Sequence, residues 1–386
     1  MDIWLKISIM KKRATTFILI LFSALSMGQT NGFPEEKKEA VKAVLEKYTG
    51  MGIPGLALTV YNPDAGFWSH ATGYSNVENK DPLTSEHLFY LQSVSKTYMA
   101  VAILHLYEKK KLDLNDPITK YLSYDWLLDK EDVDKVTIKM LLNHTSGIPE
   151  YNTDPILVSK ILQNPLKVFS VEELVSHIQG KDMDFAPGTK YSYRNTNYEL
   201  LSLIADKITG DHVAYVEKHI FKKLGLESTH YLSANNIEDD LNIVDSYWDV
   251  LLVGIPTNVS KIQRANVSSM KGDDGMVTST KDAVLFLKGL VSGKLLKPKT
   301  LEMMQEFVLN DKGEKRYGLG IQYYDLDVTY ALGHSGGGIG AGCVLLYLPE
   351  LDSIVFMSTN FNTMMDSPIR REAENMQQDI LMALFM

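Results

Sequence analysis

The chain of 386 residues is 45% hydrophobic and 23% charged, a globular balance with ample apolar material for a core, which excludes an intrinsically disordered protein. Its net charge of −9 excludes a polyanion such as nucleic acid as a natural partner, and its single cysteine, Cys343, excludes an internal disulfide. The length suits one large domain of two lobes, or two domains.

Lys11, Lys12 and Arg13 precede an apolar run over residues 17–25 that ends in Ser26-Met27-Gly28, the charged, apolar and small-residue order of an export signal. The run is short for a bilayer span, so a signal peptide cleaved after residue 28 is expected rather than a retained anchor, with no stable membrane insertion of the mature chain. Cleavage removes Lys6, Lys11, Lys12, Arg13 and Asp2, four cations and one anion, and takes the net charge from −9 to −12. Export without disulfides suits a periplasmic or secreted bacterial enzyme with a large core.

Residues 35–48 read as an amphipathic helix with Val41, Val44, Leu45 and Tyr48 on one face and Gly50 as its stop. Residues 55–61 and 67–72 read as two strands joined by Asn62-Pro63-Asp64-Ala65-Gly66. From residue 94 to about 108 an apolar helical pattern takes over, ending in the solvated run Lys109-Lys110-Lys111, and helices dominate to about residue 310. Within that stretch Ser170-Val171-Glu172-Glu173 is a capping box, Asp211 and Ser279 are N-caps, Gly210 and Gly225 are stops, and residues 235–274 look irregular. Strands return over residues 317–324, 329–332, 343–348 and 354–358, and a helix over about 370–384 closes the chain. The expected fold is therefore α/β (α+β): one antiparallel sheet built from both chain ends and flanked by helices, with an all-α lobe inserted. Cys343 lies in the apolar stretch Cys343-Val344-Leu345-Leu346-Tyr347 and reads as a buried small residue rather than a reactive thiol.

Three clusters carry chemistry. In Ser93-Val94-Ser95-Lys96 the hydroxyl and the amine stand one turn apart at the start of a helix, so they share a face. The helix N-terminus favours negative charge on the serine oxygen, and desolvation is expected to lower the Lys96 pKa and make it a proton acceptor. The same pattern recurs at Ser8-Ile9-Met10-Lys11 and Ser268-Ser269-Met270-Lys271, so position rather than pattern singles out Ser93. In Tyr193-Arg194-Asn195 a tyrosine beside a cationic lysine is expected to ionise below pH 10 and act as base, and Asn195 is expected to bond Lys96 and a substrate amide. Tyr74-Ser75-Asn76 has the same spacing but lies upstream of Ser93. His334-Ser335-Gly336-Gly337-Gly338 falls between two predicted strands, where small residues let a substrate backbone approach, and the amides of Ser93 and Gly337 are candidates for an oxyanion hole.

With these clusters, Leu88-Phe89-Tyr90-Leu91-Gln92 before Ser93, Leu141-Leu142-Asn143-His144-Thr145-Ser146-Gly147 and Phe185-Ala186-Pro187-Gly188, the sequence resembles the serine β-lactamase and penicillin-binding superfamily. The similarity is to the branch of class C β-lactamases, D-alanyl-D-alanine carboxypeptidases and esterases, and runs from about residue 55 to 360. The resemblance implies a β-lactamase/transpeptidase-like catalytic domain over residues 29–386, with an α/β lobe of about 33–90 and 311–386, a helical lobe of about 91–310, and the site between them. It implies Ser93 as acylated nucleophile, Lys96 and Tyr193 sharing proton transfer, Asn195, His334, Ser335 and Gly336 contacting a small-molecule or peptide substrate with an amide or ester carbonyl, and no metal or organic cofactor. His144 to Gly147 is read as a structural signature that ends a helix.

Two positions depart from the branch. Class C enzymes usually carry lysine where this chain has His334, and a histidine with a pKa near 6.5 offers partial charge to a substrate carboxylate, so such substrates are expected to gain as pH falls from about 8 to 5.5. Gly272-Asp273-Asp274-Gly275 places acids where relatives more often have small residues, either repelling anions or facing water. An exported peptidase or esterase, with at most weak β-lactamase action, is the expected activity, against a penicillin-binding sensor or scaffold that is acylated without turnover. Gly333-His334-Ser335-Gly336-Gly337 matches the elbow of α/β-hydrolases, but a strand follows it and no histidine lies downstream. There is no His-Glu-x-x-His motif, and His212 and His219 read as surface residues.

Overall fold

The structure, a computed structural model, describes residues 32–234, 241–326 and 329–385; the export signal expected over residues 1–28 lies outside them. The chain first forms β1 (Gly55–Asn62), β2 (Gly66–Asn76) and β3 (Asp81–Pro82). Five short strands follow: β4 (Phe89–Tyr90), β5 (Thr229–Tyr231), β6 (Tyr247–Trp248), β7 (Thr257–Asn258) and β8 (Met276–Thr278). Six more close the chain: β9 (Val308–Leu309), β10 (Lys315–Tyr317), β11 (Gln322–Asp325), β12 (Tyr330–Gly337), β13 (Gly342–Leu348) and β14 (Ser353–Thr359). The first three and last six make one nine-stranded antiparallel sheet in the order β3-β2-β1-β14-β13-β12-β11-β10-β9. Both ends of the chain thus build one sheet, as the strand pattern predicts.

The sheet's centre is dry on both faces because alternate side chains of β13 and β14 point to opposite cores. Cys343, Leu345, Ile354 and Phe356 join the core shared with the helices, while Val344, Leu346, Val355 and Met357 face the helices Glu35–Gly50 and Met376–Phe385. Those two terminal helices are tied by Tyr48 and Lys47, which donate to Asp379 Oδ2 at 2.7 and 2.8 Å.

Helix Ser95–Glu108 is the axis of the second core. It is apolar on every side, as a helix enclosed by protein must be, with Lys96 through Leu104 and Leu106 all buried. Leu200, Leu201 and Ile204 of helix Asn195–Thr209 share that core, and Tyr98 stacks on Phe286 of helix Thr280–Val291 with ring centroids 3.4 Å apart. The capping box at Ser170, the caps at Asp211 and Ser279 and the left-handed stops at Gly210 and Gly225 form as read from the sequence.

Several expectations are corrected. The inserted lobe is not all-α, since β4, β8 and β5 form a small sheet; strands of two or three residues are too short to show a period of two. Of the irregular segment, 235–240 lies outside the described residues, and the rest contains the β6–β7 ladder and helix Ser260–Ser269. That helix escapes detection because its buried face is Gln263, Ala265, Val267, Ser268 and Ser269, with little apolar contrast. The strand expected over 317–324 is broken: Gly320 adopts φ +83°, and a Cβ there would lie 2.1 Å from Ala100 Cβ, where the central helix crosses. The closing helix is two, Pro368–Glu372 and Met376–Phe385. His212 is buried, not superficial, with Nδ1 2.8 Å from Asp206 Oδ1.

Since Phe286 joins the helix beside the sheet to the central helix, Phe286→Ala should destabilise the protein by about 3–5 kcal/mol. Urea denaturation measures this, and a loss below about 1 kcal/mol would show that the two helices do not depend on that contact.

Candidate active site

Ser93 stands on the tight turn Gln92–Val94 at the foot of helix Ser95–Glu108. Gln92 takes φ +47°, a left-handed conformation that strains any residue but glycine. Its surroundings hold it there. Leu91 N donates to Met276 O at 3.0 Å, Cys343 Sγ donates to Leu91 O at 3.1 Å, and the amide orientation of Gln92 that satisfies both its ends donates to Gly337 O at 3.3 Å and Asp274 Oδ2 at 3.0 Å.

The sheet approaches this turn so closely that a Cβ on Gly336 would lie 2.5 Å from Leu91 O, and one on Gly338 2.6 Å from Gln92 Cδ. Glycine is therefore required where β12 meets the serine. His334 through Gly337 form the end of β12 rather than a connection between strands, which corrects the expected boundary. β11 pairs with β12 over residues 330–333, so the stretch beyond is without a β11 neighbour and turns that side toward Ser93.

Lys96 is fully buried, and its Nζ donates to Ser93 Oγ at 2.9 Å and to Asp273 Oδ2 at 3.3 Å, with Asp274 Oδ1 at 3.7 Å. Ser93 Oγ in turn donates to Asp274 Oδ1 at 3.2 Å. The Tyr193 ring lies 5.3 Å from Lys96 Nζ, and its buried hydroxyl, near Ser93 and Lys96, makes no hydrogen bond of good geometry. Ser93, Lys96, Tyr193 and the Gly336–Gly337 end of β12 thus meet in one crevice, joined by both acids of the Gly272-Asp273-Asp274-Gly275 segment. Asp273 and Asp274 are 1% and 9% exposed, so they do not face water.

These neighbours shift both expected proton-transfer groups upward. Burial alone would lower the Lys96 pKa, but Asp273, Tyr193 and Asp274 outweigh it and hold the amine protonated, well above its ordinary range. Burial pushes the Tyr193 phenol up to about 12 despite Lys96 and Ser93, so it is neutral at pH 7. Asp274 is driven up to about 7, by burial first and Asp273 second, with Lys96 and Ser93 pulling back.

His334 is likewise not the cation expected. It is 1% exposed, and burial, then Lys96, lowers its pKa to about 3. Its Nδ1 lies 2.7 Å from Ser335 O, a pure acceptor, so Nδ1 carries the hydrogen and Nε2 accepts from the Tyr317 hydroxyl at 2.8 Å. The ring is committed on both sides, and the gain of carboxylate substrates expected between pH 8 and 5.5 loses its physical basis. Asn195 does not bond Lys96 either: it opens helix Asn195–Thr209, where its backbone N donates to Glu150 Oε2 at 2.7 Å. Ser335 N and Oγ reach Gln322 Oε1 at 3.3 and 3.4 Å.

Three contributors, Glu150, Glu199 and Tyr317, carry no sequence signal. Glu150 caps helix Asn195–Thr209 through the amides of Asn195 and Thr196 and so fixes Tyr193, yet it stands 45 residues away in the chain. Glu199 accepts from Gly272 N at 3.0 Å behind the acid pair. Tyr317 orients His334. His144 ends helix Ile138–Leu142 with φ +60°, as its signature suggests, but its ring also packs 4.3 Å from that of Tyr193, and Nδ1 accepts from Arg194 N at 3.2 Å. Cys343 is buried, and burial raises its thiol pKa. Among the described residues no cluster of His, Cys, Asp and Glu is arranged to hold a metal ion, and no helix is long and apolar enough to cross a membrane.

The Beta-lactamase family model matches residues 41–378. Among curated relatives, protein flp of Staphylococcus aureus strain MW2 is 26% identical over 202 residues, 52% of this chain and 39% of that protein, so the match spans well under half of the relative. Penicillin-binding protein 4* of Bacillus subtilis strain 168 is 26% identical over 309 residues, 75% of this chain and 65% of that protein. Among solved structures, a D-stereospecific amidohydrolase from Streptomyces sp. superposes with TM-score 0.77 at 24% identity, covering 91% of this chain and 99% of its own. A D-amino acid amidase from Ochrobactrum anthropi SV3, complexed with L-phenylalanine amide, gives 0.74 at 22% identity over 90% and 99%. These two likenesses establish the fold.

An unfolded imidazole takes up a proton near pH 6.5, whereas folded His334 does so only near 3. Its contribution is therefore complete above pH 6.5 and lost as pH falls through that window, about 2 kcal/mol between pH 8 and 5. Urea denaturation at both pH values should show this increment in the wild type and its loss in His334→Gln; equal slopes would place a charged imidazole in the crevice.

Proposed function

The chain belongs to the Beta-lactamase family, of the serine β-lactamase and penicillin-binding type, and we propose that it is an exported serine hydrolase whose Ser93 is acylated by an amide or ester carbonyl and then freed by water. The observation that carries this reading is the 2.9 Å hydrogen bond from a buried, protonated Lys96 to Ser93 Oγ, which polarises the hydroxyl where it meets the crevice. Ser93 Oγ attacks the carbonyl carbon as its proton passes into the network of Lys96, Tyr193 and Asp274 around it, the amides of Ser93 and Gly337 receive the negative charge on the carbonyl oxygen, and the proton is returned to the leaving nitrogen or oxygen as its bond to carbon breaks. Tyr193, as a neutral phenol, donates a hydrogen bond toward the reacting atoms. Ser335 and Gly336 run beside the substrate backbone, and Asn195 borders the site. Residues 29–386 act as one catalytic domain in this scheme, in the periplasm or outside the cell.

The electrostatics favour acyl groups without a carboxylate. His334 is neutral, and the Lys96 ammonium beside Ser93 is already paired with Asp273. Peptides ending in a free carboxylate and β-lactam acids therefore gain no cationic partner from His334, whereas neutral or amine-bearing amides and esters need none. The amidase descriptions of the two structural neighbours support an amide as substrate. A D-alanyl-D-alanine carboxypeptidase or efficient β-lactamase is disfavoured on the same ground.

Hydrolysis of p-nitrophenyl acetate and of amino acid p-nitroanilides by the mature protein should vanish in Ser93→Ala. Incubation with penicillin followed by mass spectrometry should give at most slow modification of the Ser93 peptide. Turnover retained by Ser93→Ala would remove the nucleophile from this scheme, and a lasting penicillin adduct without ester turnover would make the protein a binder.

A further inference from the structure

Large apolar side chains exposed singly are ordinary on a protein surface, but here they gather. Of the seventeen exposed among the described residues, eleven fall in three short segments: four in 156–166, five in 250–255 and two in 364–365. In helix Pro155–Gln163 Leu157 alone is buried, while Ile156 is 64% and Leu162 75% exposed. Val158 and Leu162 share a face one turn apart and extend the apolar side beyond the stripe of Leu157 and Ile161 that packs on the core. In the connection between β6 and β7, Leu251, Val253 and Ile255 face water on a turn that is built rather than loose. Asp249, fully buried, accepts from Val253 N at 2.9 Å and Gly254 N at 2.7 Å, and Leu252 is held at φ +57°. A leucine in that left-handed conformation is strained, and its exposure returns no burial to the fold.

All three segments are rooted at the crevice. Helix Pro155–Gln163 follows Glu150, which accepts from Asn195 N at 2.7 Å, and Tyr151, whose N donates to Thr196 Oγ1 at 3.0 Å. At the base of the β6–β7 hairpin, Ser246 presses on the β12–β13 turn so closely that a Cβ on Gly340 would lie 2.5 Å from Ser246 Cβ. The same turn is tied to the segment of Met364 and Met365 by Thr363 Oγ1, which accepts from Gly338 N at 3.2 Å and donates to Ala341 O at 2.8 Å. Asn362 N donates to Tyr247 O at 2.8 Å and joins that segment to β6.

We propose that these segments form an apolar collar around the Ser93 crevice that docks on the surface of a zwitterionic lipid bilayer. Residues 250–260 carry no ionisable side chain, and the chain's net charge of −9 opposes attraction to anionic lipid, so apolar contact carries the docking. A second copy of the chain fits less well, since a stable dimer buries about 800 Å² per partner over roughly 20–30 residues, more than eleven side chains in three pieces supply. A lipid surface needs no matching shape and leaves the crevice open toward the bilayer. Amides or esters with a long acyl chain then reach Ser93 from the lipid, a consequence that rests on the acyl-transfer reading above.

The test floats residues 29–386, which include every described residue and leave out the apolar run at 17–25, with phosphatidylcholine vesicles at about 0.15 M salt. Wild type and Ser93→Ala should rise with the vesicles equally. Leu251→Gln with Val253→Gln, and separately Ile156→Gln with Leu162→Gln, should each lower the partition coefficient by about 10-fold or more at unchanged melting temperature, because all four side chains already face water. Absence of flotation, flotation confined to anionic vesicles, or variants that bind as wild type does overturn the proposal. A dimer in sedimentation velocity that these variants dissolve, without flotation, would assign the segments to a second copy and overturn it as well. Hydrolysis of p-nitrophenyl dodecanoate on the vesicles by Ser93→Ala would instead overturn the acyl-transfer reading and leave the docking standing.

Discussion

A protonated lysine sealed inside the protein governs the rest of the site. An ammonium without water is tolerable only when anions surround it, and Lys96 has Asp273 and Asp274 within 4 Å. That requirement reaches outward. It fixes where the Gly272-Asp273-Asp274-Gly275 segment must lie and holds Glu199 in its neutral form. It also raises the lysine above its ordinary range. Serine chemistry in this crevice therefore runs beside a positive charge and the carboxylates that pair with it.

The scaffold meets this demand by bringing three remote pieces of chain against one turn. The central helix supplies Ser93 and Lys96, the sheet supplies β12, and helix Asn195–Thr209 sets Tyr193 through its Glu150 cap. Strain at Gln92 is offset by contacts on every side of it, from Met276, Cys343, Gly337 and Asp274. Rigidity at that turn matters because a displacement of about 1 Å between nucleophile and carbonyl loses orders of magnitude in rate.

Much of this was readable from residues alone. Period-two strands at both chain ends announced the sheet, and the order of the three motifs announced which residues would gather. Legibility ended where meaning depends on what lies across space. Lys96 beside Ser93 is a local fact, but its proton is governed by acids 177 and 178 positions further along the chain. His334 reads as a titratable ring until Tyr317 and the Ser335 carbonyl are seen to occupy both nitrogens. Helix Ser260–Ser269 hides because serines and a glutamine, rather than leucines, make up most of its buried side. Short strands such as β4 and β8 carry too few residues to declare a period.

The pairing of Leu56 with Thr359 joins positions 303 residues apart. A ribosome delivers β1 long before β14, so the β1–β2 hairpin waits with its other edge open while the helices between form from nearby contacts. Loop closure of that length is slow, and the assembly of this molecule is thereby timed by the arrival of its last strand.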